Sequence, residues 1–225
     1  MWEGRQARRF VAGSQGVEYA LIAWWRSQGL LADAPALAAI TRVDRIAAVS
    51  GSCSPVTARQ IAFAEANGFA AIALNAQRAV DDRAWHEELA RAQNLALEAL
   101  SSGRDALIHS AKGPDDPAVA LLNQAVASSG FSQEEVSRRI GSGLGEVLSL
   151  LVQQQKLTRA VVSGGDSSGQ ACIAMGLTGV TALAALAPGA PLCRARSRHA
   201  HLDGLEIALK GGQMGKDDFF LAAKG

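Results

Sequence analysis

The sequence predicts an α/β fold, a layered sandwich in which a largely parallel or mixed sheet is flanked by helices. Three observations predict it. Short apolar runs rich in valine and isoleucine alternate along the chain with longer stretches of helical periodicity. The segments between them are built from glycine, serine, proline and asparagine, the residues of turns and helix ends. The 225 residues are 48% apolar and 19% charged, which is enough to bury a substantial core and too apolar for a disordered chain. Strand–helix alternation is what parallel pairing demands, because a crossover, usually helical, must return the chain to the same edge.

Residues 8–13 (RRFVAG) predict a short first strand, and residues 16–28 a helix carrying Val17, Tyr19, Ala20, Ile22, Ala23 and Trp24. Trp24 and Trp25, with Met1 and Trp2, read as packing residues of the core or of an interface between lobes. Residues 29–43, with Pro35 inside, read as a loop. Residues 45–49 (RIAAV) predict a buried strand, followed by the turn SGSCS and a helix over residues 55–67 that Gly68 stops. A strand over 70–74, a helix over 82–100 and a strand over 106–109 come next, then a polar loop over 112–117 with two prolines. Helices follow over 118–128 and 132–154, and Ser132 with Glu135 forms a capping-box signature at the second. Residues 157–162 predict a further strand, leading through a glycine-rich loop to a helix over 168–175. Strands over 180–186 and 205–210 complete the set, separated by a Pro/Gly/Arg-rich crossing.

Composition removes several function classes. Lys plus Arg number 22 and Asp plus Glu 21, so the basic excess expected of a nucleic-acid binder is missing. The start, MWEGRQARRF, is charged and has no apolar signal region. Cys53, Cys172 and Cys193 are widely spaced and form no C-x-x-C pair, which reads as reduced thiols in a cytoplasmic protein. The longest uncharged stretch, residues 167–193, is broken by glycines and prolines and does not read as a membrane span.

Two chemistries compete for Gly165-Asp166-Ser167-Ser168-Gly169. It satisfies the G-x-S-x-G pattern of a hydrolase nucleophile elbow, with Ser167 as the attacking group. A triad in the usual chain order then needs an acid and a histidine downstream. Only His199 and His201 follow, and no Asp or Glu lies between Ser168 and Arg198. The alternative is a glycine-rich loop at a helix start, where free N–H groups and the helix dipole favour an anion. Two other loops have a similar composition, Ser50-Gly51-Ser52-Cys53-Ser54 after one strand and Lys210-Gly211-Gly212-Gln213-Met214-Gly215 after another. Asp166 reads equally as a helix N-cap or as a catalytic group. His199-Ala-His201 lacks the further ligands of a metal site, and Arg194, Arg196 and Arg198 read as a solvated edge.

The segments GSCSPVTARQI (51–61), VSGGDSSGQ (162–170), PGAPLCRA (188–195) and IALKGGQMG (207–215), followed by DDFF (217–220), resemble the C-terminal nucleotide-binding domain of the four-carbon acid sugar kinases, in order and spacing. VAGSQGVEYAL (11–21) resembles the family's segment where two lobes meet. The resemblance implies one nucleotide-binding domain over residues 1–225, and ATP-dependent phosphorylation, with Mg²⁺, of a sugar acid such as threonate, erythronate or 3-oxo-tetronate. Carried over by motif, the nucleotide contacts fall on Ser52 and Ser54, on Gly164, Gly165, Asp166 and Ser167, and on Gly212 and Gly215. Asp166 takes either the metal or the cap. The third loop departs from the family's K-S-G-N-F-G at Gly211, Gln213 and Met214, which puts adenine or ribose contacts there in doubt. The family's D-D-x-T-G substrate motif has no counterpart, since Asp81-Asp82 and Asp115-Asp116 continue differently. The resemblance therefore implies a nucleotide lobe whose sugar-acid partner lobe is missing or separate, with apolar surface open to self-association. A non-catalytic nucleotide-binding remnant is the alternative.

Overall fold

Residues 10–32 and 39–225 are described by the computed structural model, in two units, Met1–Ala36 and Leu37–Gly225. The first unit contributes helix α1 (Gln15–Ser27), with Glu18 in its first turn and Arg26 in its last, the order the helix dipole favours. The expected strand over residues 8–13 is not formed in its described part. Residues 10–13 pair with no strand, and Phe10 is fully exposed; Arg8 and Arg9 lie outside the described residues. Four residues ahead of a helix find no sheet edge to satisfy their backbone. Met1 and Trp2, and residues 33–38 of the expected loop, also lie outside the described residues.

The second unit holds a seven-stranded sheet. Its elements in chain order are β1 (Ala47–Ser50), α2 (Pro55–Ala66), β2 (Ala70–Ala73), a 3-10 turn (Ala76–Val80), α3 (Asp82–Ser101) and β3 (Ala106–His109). They continue with α4 (Pro117–Ala127), α5 (Gln133–Gln155), β4 (Arg159–Ser163), α6 (Gly165–Ala174), β5 (Leu177–Ala187), β6 (Ala190–Ser197), β7 (Glu206–Lys210) and α7 (Phe219–Lys224). The strand order is β2-β3-β1-β4-β7-β6-β5. The first five strands in that order are parallel, and β6 and β5 extend the sheet antiparallel. The sheet is thus mixed, with a parallel centre.

Both faces are covered, so strands β1, β3 and β4 are buried at every position rather than at alternate ones. Val49, Ile108, Val162 and Ile207 face α3, α5 and α6, whereas Ala48, Leu107, Val161 and Ala208 face α2 and α7. Helix starts are fixed by their caps. Ser54, Asp81, Asp116 and Ser132 each accept a hydrogen bond from a backbone N–H of the first turn, and the Ser132–Glu135 capping box is complete.

Two elements are not apparent from the sequence. The Pro/Gly/Arg-rich crossing contains β6, in which Leu192, Cys193 and Ala195 are buried while Arg194 and Arg196 point to solvent. Pro188, Gly189 and Pro191 at its start hide a strand that is half exposed. The DDFF motif begins α7, which buries Phe219, Phe220 and Ala223 against the α2 face of the sheet.

Helix α5 carries three glycines in five residues, at a cost of about 1 kcal/mol each relative to alanine. They allow close approach. A Cβ on Gly141 would lie 2.7 Å from Gln170 Cβ of α6, and one on Gly145 would lie 2.5 Å from the Ala171 carbonyl oxygen. Gly143 meets Trp85 and Leu89 of α3 in the same way, each 2.9 Å from the added carbon. Because Gly145 would strike backbone, Gly145→Ala is expected to destabilise the fold by about 2 kcal/mol. Gly169→Ala in α6, with nothing within 4 Å, is expected to be neutral or stabilising by up to about 1 kcal/mol. Urea midpoints of the two variants measure the difference.

Candidate functional site

All five parallel strands end at one edge of the sheet, and the three glycine-rich loops leave from β1, β4 and β7, which are neighbours. The loop after β1 leads to α2 on one face, and the loop after β4 leads to α6 on the other. This is a topological switch point, the place where an open α/β sheet leaves a crevice for a ligand. The ladder continues past the strands. Gly51 N–H donates to the Ser163 carbonyl at 2.9 Å, and Gly164 N–H donates to the Lys210 carbonyl at 2.8 Å, so the loops start side by side.

The second loop is shorter than expected, because α6 begins at Gly165 rather than at Ser168. Gly164 is the N-cap, at φ 134° and ψ 152°, a conformation that favours glycine. No side chain caps this helix, so Asp166 is not the N-cap expected of it; it sits exposed in the first turn. Helix geometry leaves the N–H groups of Gly165, Asp166 and Ser167 without intrahelical partners. Ser167 packs against the glycines at the starts of the first and second loops. A Cβ on Gly51 would lie 2.5 Å from Ser167 Oγ, and one on Gly164 would lie closer still. Among the described residues no hydrogen bond joins Ser167 to a histidine.

The first and third loops brace each other. Ser54 caps α2 by accepting from Thr57 N–H at 3.0 Å, and its hydroxyl donates to the Gly212 carbonyl. Thr57 Oγ1 lies 3.0 Å from the same carbonyl and 3.1 Å from Ser52 Oγ. A Cβ on Gly212 would come within 2.7 Å of Ser52 Oγ. Lys210, 1% exposed, donates from Nζ to Thr57 Oγ1 at 3.0 Å and to the Gly211 carbonyl at 3.1 Å. Gln60, also buried, holds the far side of the loop through the Met214 and Lys216 carbonyls, both at 2.9 Å.

A cavity of about 400 Å³ opens beside these loops, between them and helices α4 and α5. Ser52, Gly165, Asp166 and Ser167 line it, together with Asn123 of α4 and Gln133 and Ser137 of α5. Of the eight residues predicted from the sequence, those first four meet at the cavity. Gly164 sits beneath as the N-cap, and Ser54 and Gly212 form the brace. Gly215 stands apart. At φ 82° it turns the chain against Phe219 and lines a second cavity, of about 570 Å³, with Met214 and Pro188. Sequence reasoning misses the helical walls and Lys210. Residues 118–140 read only as amphipathic helix, and a strand-end lysine is ordinarily exposed.

A family model described as "nucleotide-binding C-terminal domain" matches residues 47–220. A 3-oxo-isoapionate kinase of Paraburkholderia graminis is 47% identical over 220 residues, covering 98% of this chain and 47% of the relative. A 3-oxo-tetronate kinase of Brucella melitensis is 27% identical over 217 residues, covering 96% of this chain and 46% of the relative. The chain thus spans about half the length of the curated relatives it matches. A solved Haemophilus influenzae protein superposes with a TM-score of 0.67 at 23% identity, over 89% of this chain and 44% of that one, and shares the fold.

Charge around the site is set mainly by burial. The Cys53 thiol is pushed up by burial and by Asp116, which leaves it protonated rather than nucleophilic. Asp116 is held low by the backbone N–H groups of Ala118 and Lys112. His109, Ser50, Ser163 and Lys210 stand in register on four adjoining strands, all buried on the α2 face. His109 is 2% exposed and neither ring nitrogen has a hydrogen-bond partner. Burial first, then Lys112, lowers its pKa from 6.5 to about 4, against the opposite pull of Asp116 and Glu65. Between these values the unfolded chain binds a proton that the folded chain refuses. Stability contributed by neutral His109 is therefore lost as pH falls from 6.5 toward about 4, amounting to about 3 kcal/mol in all. His109→Leu is expected to remove that part of the acid slope, read from denaturation midpoints at neutral and acid pH; parallel slopes would contradict it.

Proposed function

The chain belongs to the four-carbon acid sugar kinase family, of which it carries the nucleotide-binding C-terminal domain, and on that premise we propose that it binds ATP for transfer to a sugar acid. The observation that carries the reading is the uncapped start of α6 opening onto the 400 Å³ cavity at the switch point of the sheet. The phosphates lie on the N–H groups of Gly165, Asp166 and Ser167, and the Ser167 hydroxyl donates to them rather than attacking a substrate. The nucleoside occupies the cavity, with Asn123, Gln133 and Ser137 presenting polar groups to it. Ser52 closes the floor, while Ser54 and Gly212 hold the loops in place. Gly215 acts on the turn and not on the nucleotide.

Among the described residues no three His, Cys, Asp or Glu side chains cluster as a metal cage. A magnesium ion carried by the phosphates needs only one or two carboxylates, and Asp166, the acidic residue lining the cavity, fits that part. Bound there, the ion would supply charge neutralisation on the transferring phosphoryl group. This chain's own contribution is to align the phosphates by backbone amides that need no reorganisation. The acceptor is a sugar acid of the threonate, erythronate or 3-oxo-tetronate class. Its hydroxyl attacks the γ-phosphorus, the bond to ADP breaks, and the hydroxyl proton passes to a base beside the acceptor.

Gly165 allows a clean test, since a Cβ there meets nothing within 4 Å and its φ is not positive. Gly165→Leu is expected to leave the melting temperature unchanged while weakening Mg²⁺–ATP binding by about tenfold or more. Calorimetric titration checks this, and unchanged affinity would contradict the assignment.

A further inference from the structure

Among the described residues, the charges buried in this fold are paired, with one exception. Glu88 is held by Arg91, Arg159 by Glu206, and Asp105 by Lys224. Lys210 is buried as deeply and has no carboxylate partner among the described residues. Its ammonium meets neutral oxygens only, those of Thr57, Gly211 and, at 3.5 Å, Gly212, with the Phe219 ring 5.7 Å away. Surrounding charged groups are engaged elsewhere or carry no bond to it. Arg59 pairs with Asp217 and Lys112 with Glu65 at the surface, and neither Lys216 nor Asp218 bonds to it. An uncompensated buried cation is costly, and it becomes favourable only when an anion arrives.

Its position says which anion. Lys210 touches two of the three loops and reaches the other through one residue: its carbonyl accepts from Gly164 N–H, its side chain holds the Gly211–Gly212 turn, and it bonds Thr57, which in turn meets Ser52 and Ser54. We propose that Lys210 is a positioning residue for the nucleotide, joining the three loops and holding beneath them a positive charge that the bound phosphates neutralise. The inference rests on the nucleotide reading of the site. Lys210 contacts no phosphate itself; its hydrogen bonds are all to the protein.

The consequence is a proton linkage. Burial lowers the Lys210 pKa from 10.5 to about 8, so part of the free protein is neutral there at mildly alkaline pH. Phosphates nearby favour the charged form and raise that pKa again. Binding of Mg²⁺–ATP at pH 8.5, where the nucleotide is fully ionised, is expected to take up about 0.5 proton, and Kd to rise about tenfold between pH 7.5 and 9.5. Calorimetry in two buffers of different ionisation enthalpy reads the uptake directly. Lys210→Arg, charged throughout, keeps binding but shows no uptake and a flat Kd profile; Lys210→Met binds more weakly and without uptake. A purely structural lysine would change affinity in the variants without moving protons. If Lys210→Met does not fold, the comparison of wild type with Lys210→Arg carries the test. Nucleotide binding without uptake in the wild type, or uptake undiminished in Lys210→Arg, overturns the role of Lys210 and leaves the nucleotide reading standing. Absence of nucleotide binding at every pH overturns both.

Discussion

Side chains are excluded where the three loops touch at the carboxyl edge of the sheet, and the surrounding architecture follows from that exclusion. Gly51 and Gly164 make room for Ser167, and Gly212 makes room for Ser52. With the loops in contact, the backbone ladder of β1, β4 and β7 extends beyond the strands through Gly51 and Gly164. The first turn of α6 is thereby held at a fixed height above the sheet. Its N–H groups are left unpaired because no side chain at Gly164 can cap them. On α5, Gly141 and Gly145 perform the matching task, drawing α6 in so closely that its start faces the cavity.

The two helix starts at this edge differ in how they use their donors. In α2, Ser54 satisfies Thr57 N–H and donates to Gly212, and Pro55 has no N–H to offer. That start is closed by the protein itself. In α6 the donors are open. Two serine-rich loops of similar composition therefore divide the work, the first bracing the third and the second facing the cavity. Lys210 completes the brace from below through Thr57 and the Gly211 carbonyl.

Much of this is legible in the sequence, for reasons that differ by element. The central strands are buried on both faces, so their continuous apolar runs stand out. The cap at Ser132 follows from chemistry local to a single turn. Strand β6 is missed although Cys193, Arg194, Ala195 and Arg196 alternate buried and exposed, because the flanking Pro188, Gly189 and Pro191 read as a crossing. Asp166 reads wrongly as a cap because acidic residues commonly cap helices, whereas here the backbone needs a positive φ at the preceding glycine, Gly164. Ser52, Gly165, Asp166 and Ser167 can be named from motif alone; Asn123, Gln133, Ser137 and Lys210 cannot, since only tertiary packing brings them to the cavity or buries them. Lys210 does leave a trace, a lysine closing an apolar strand directly before paired glycines.

The central claim is that the open amides of α6 hold the phosphates of a nucleotide. Amide chemical shifts of the ¹⁵N-labelled protein, followed during titration with Mg²⁺–ATP and with adenosine, test it most directly. ATP, and not adenosine, is expected to move Gly165, Asp166 and Ser167 most, with both ligands shifting Asn123 and Ser137. Shifts centred on Met214 and Phe219, with α6 unmoved, would contradict it.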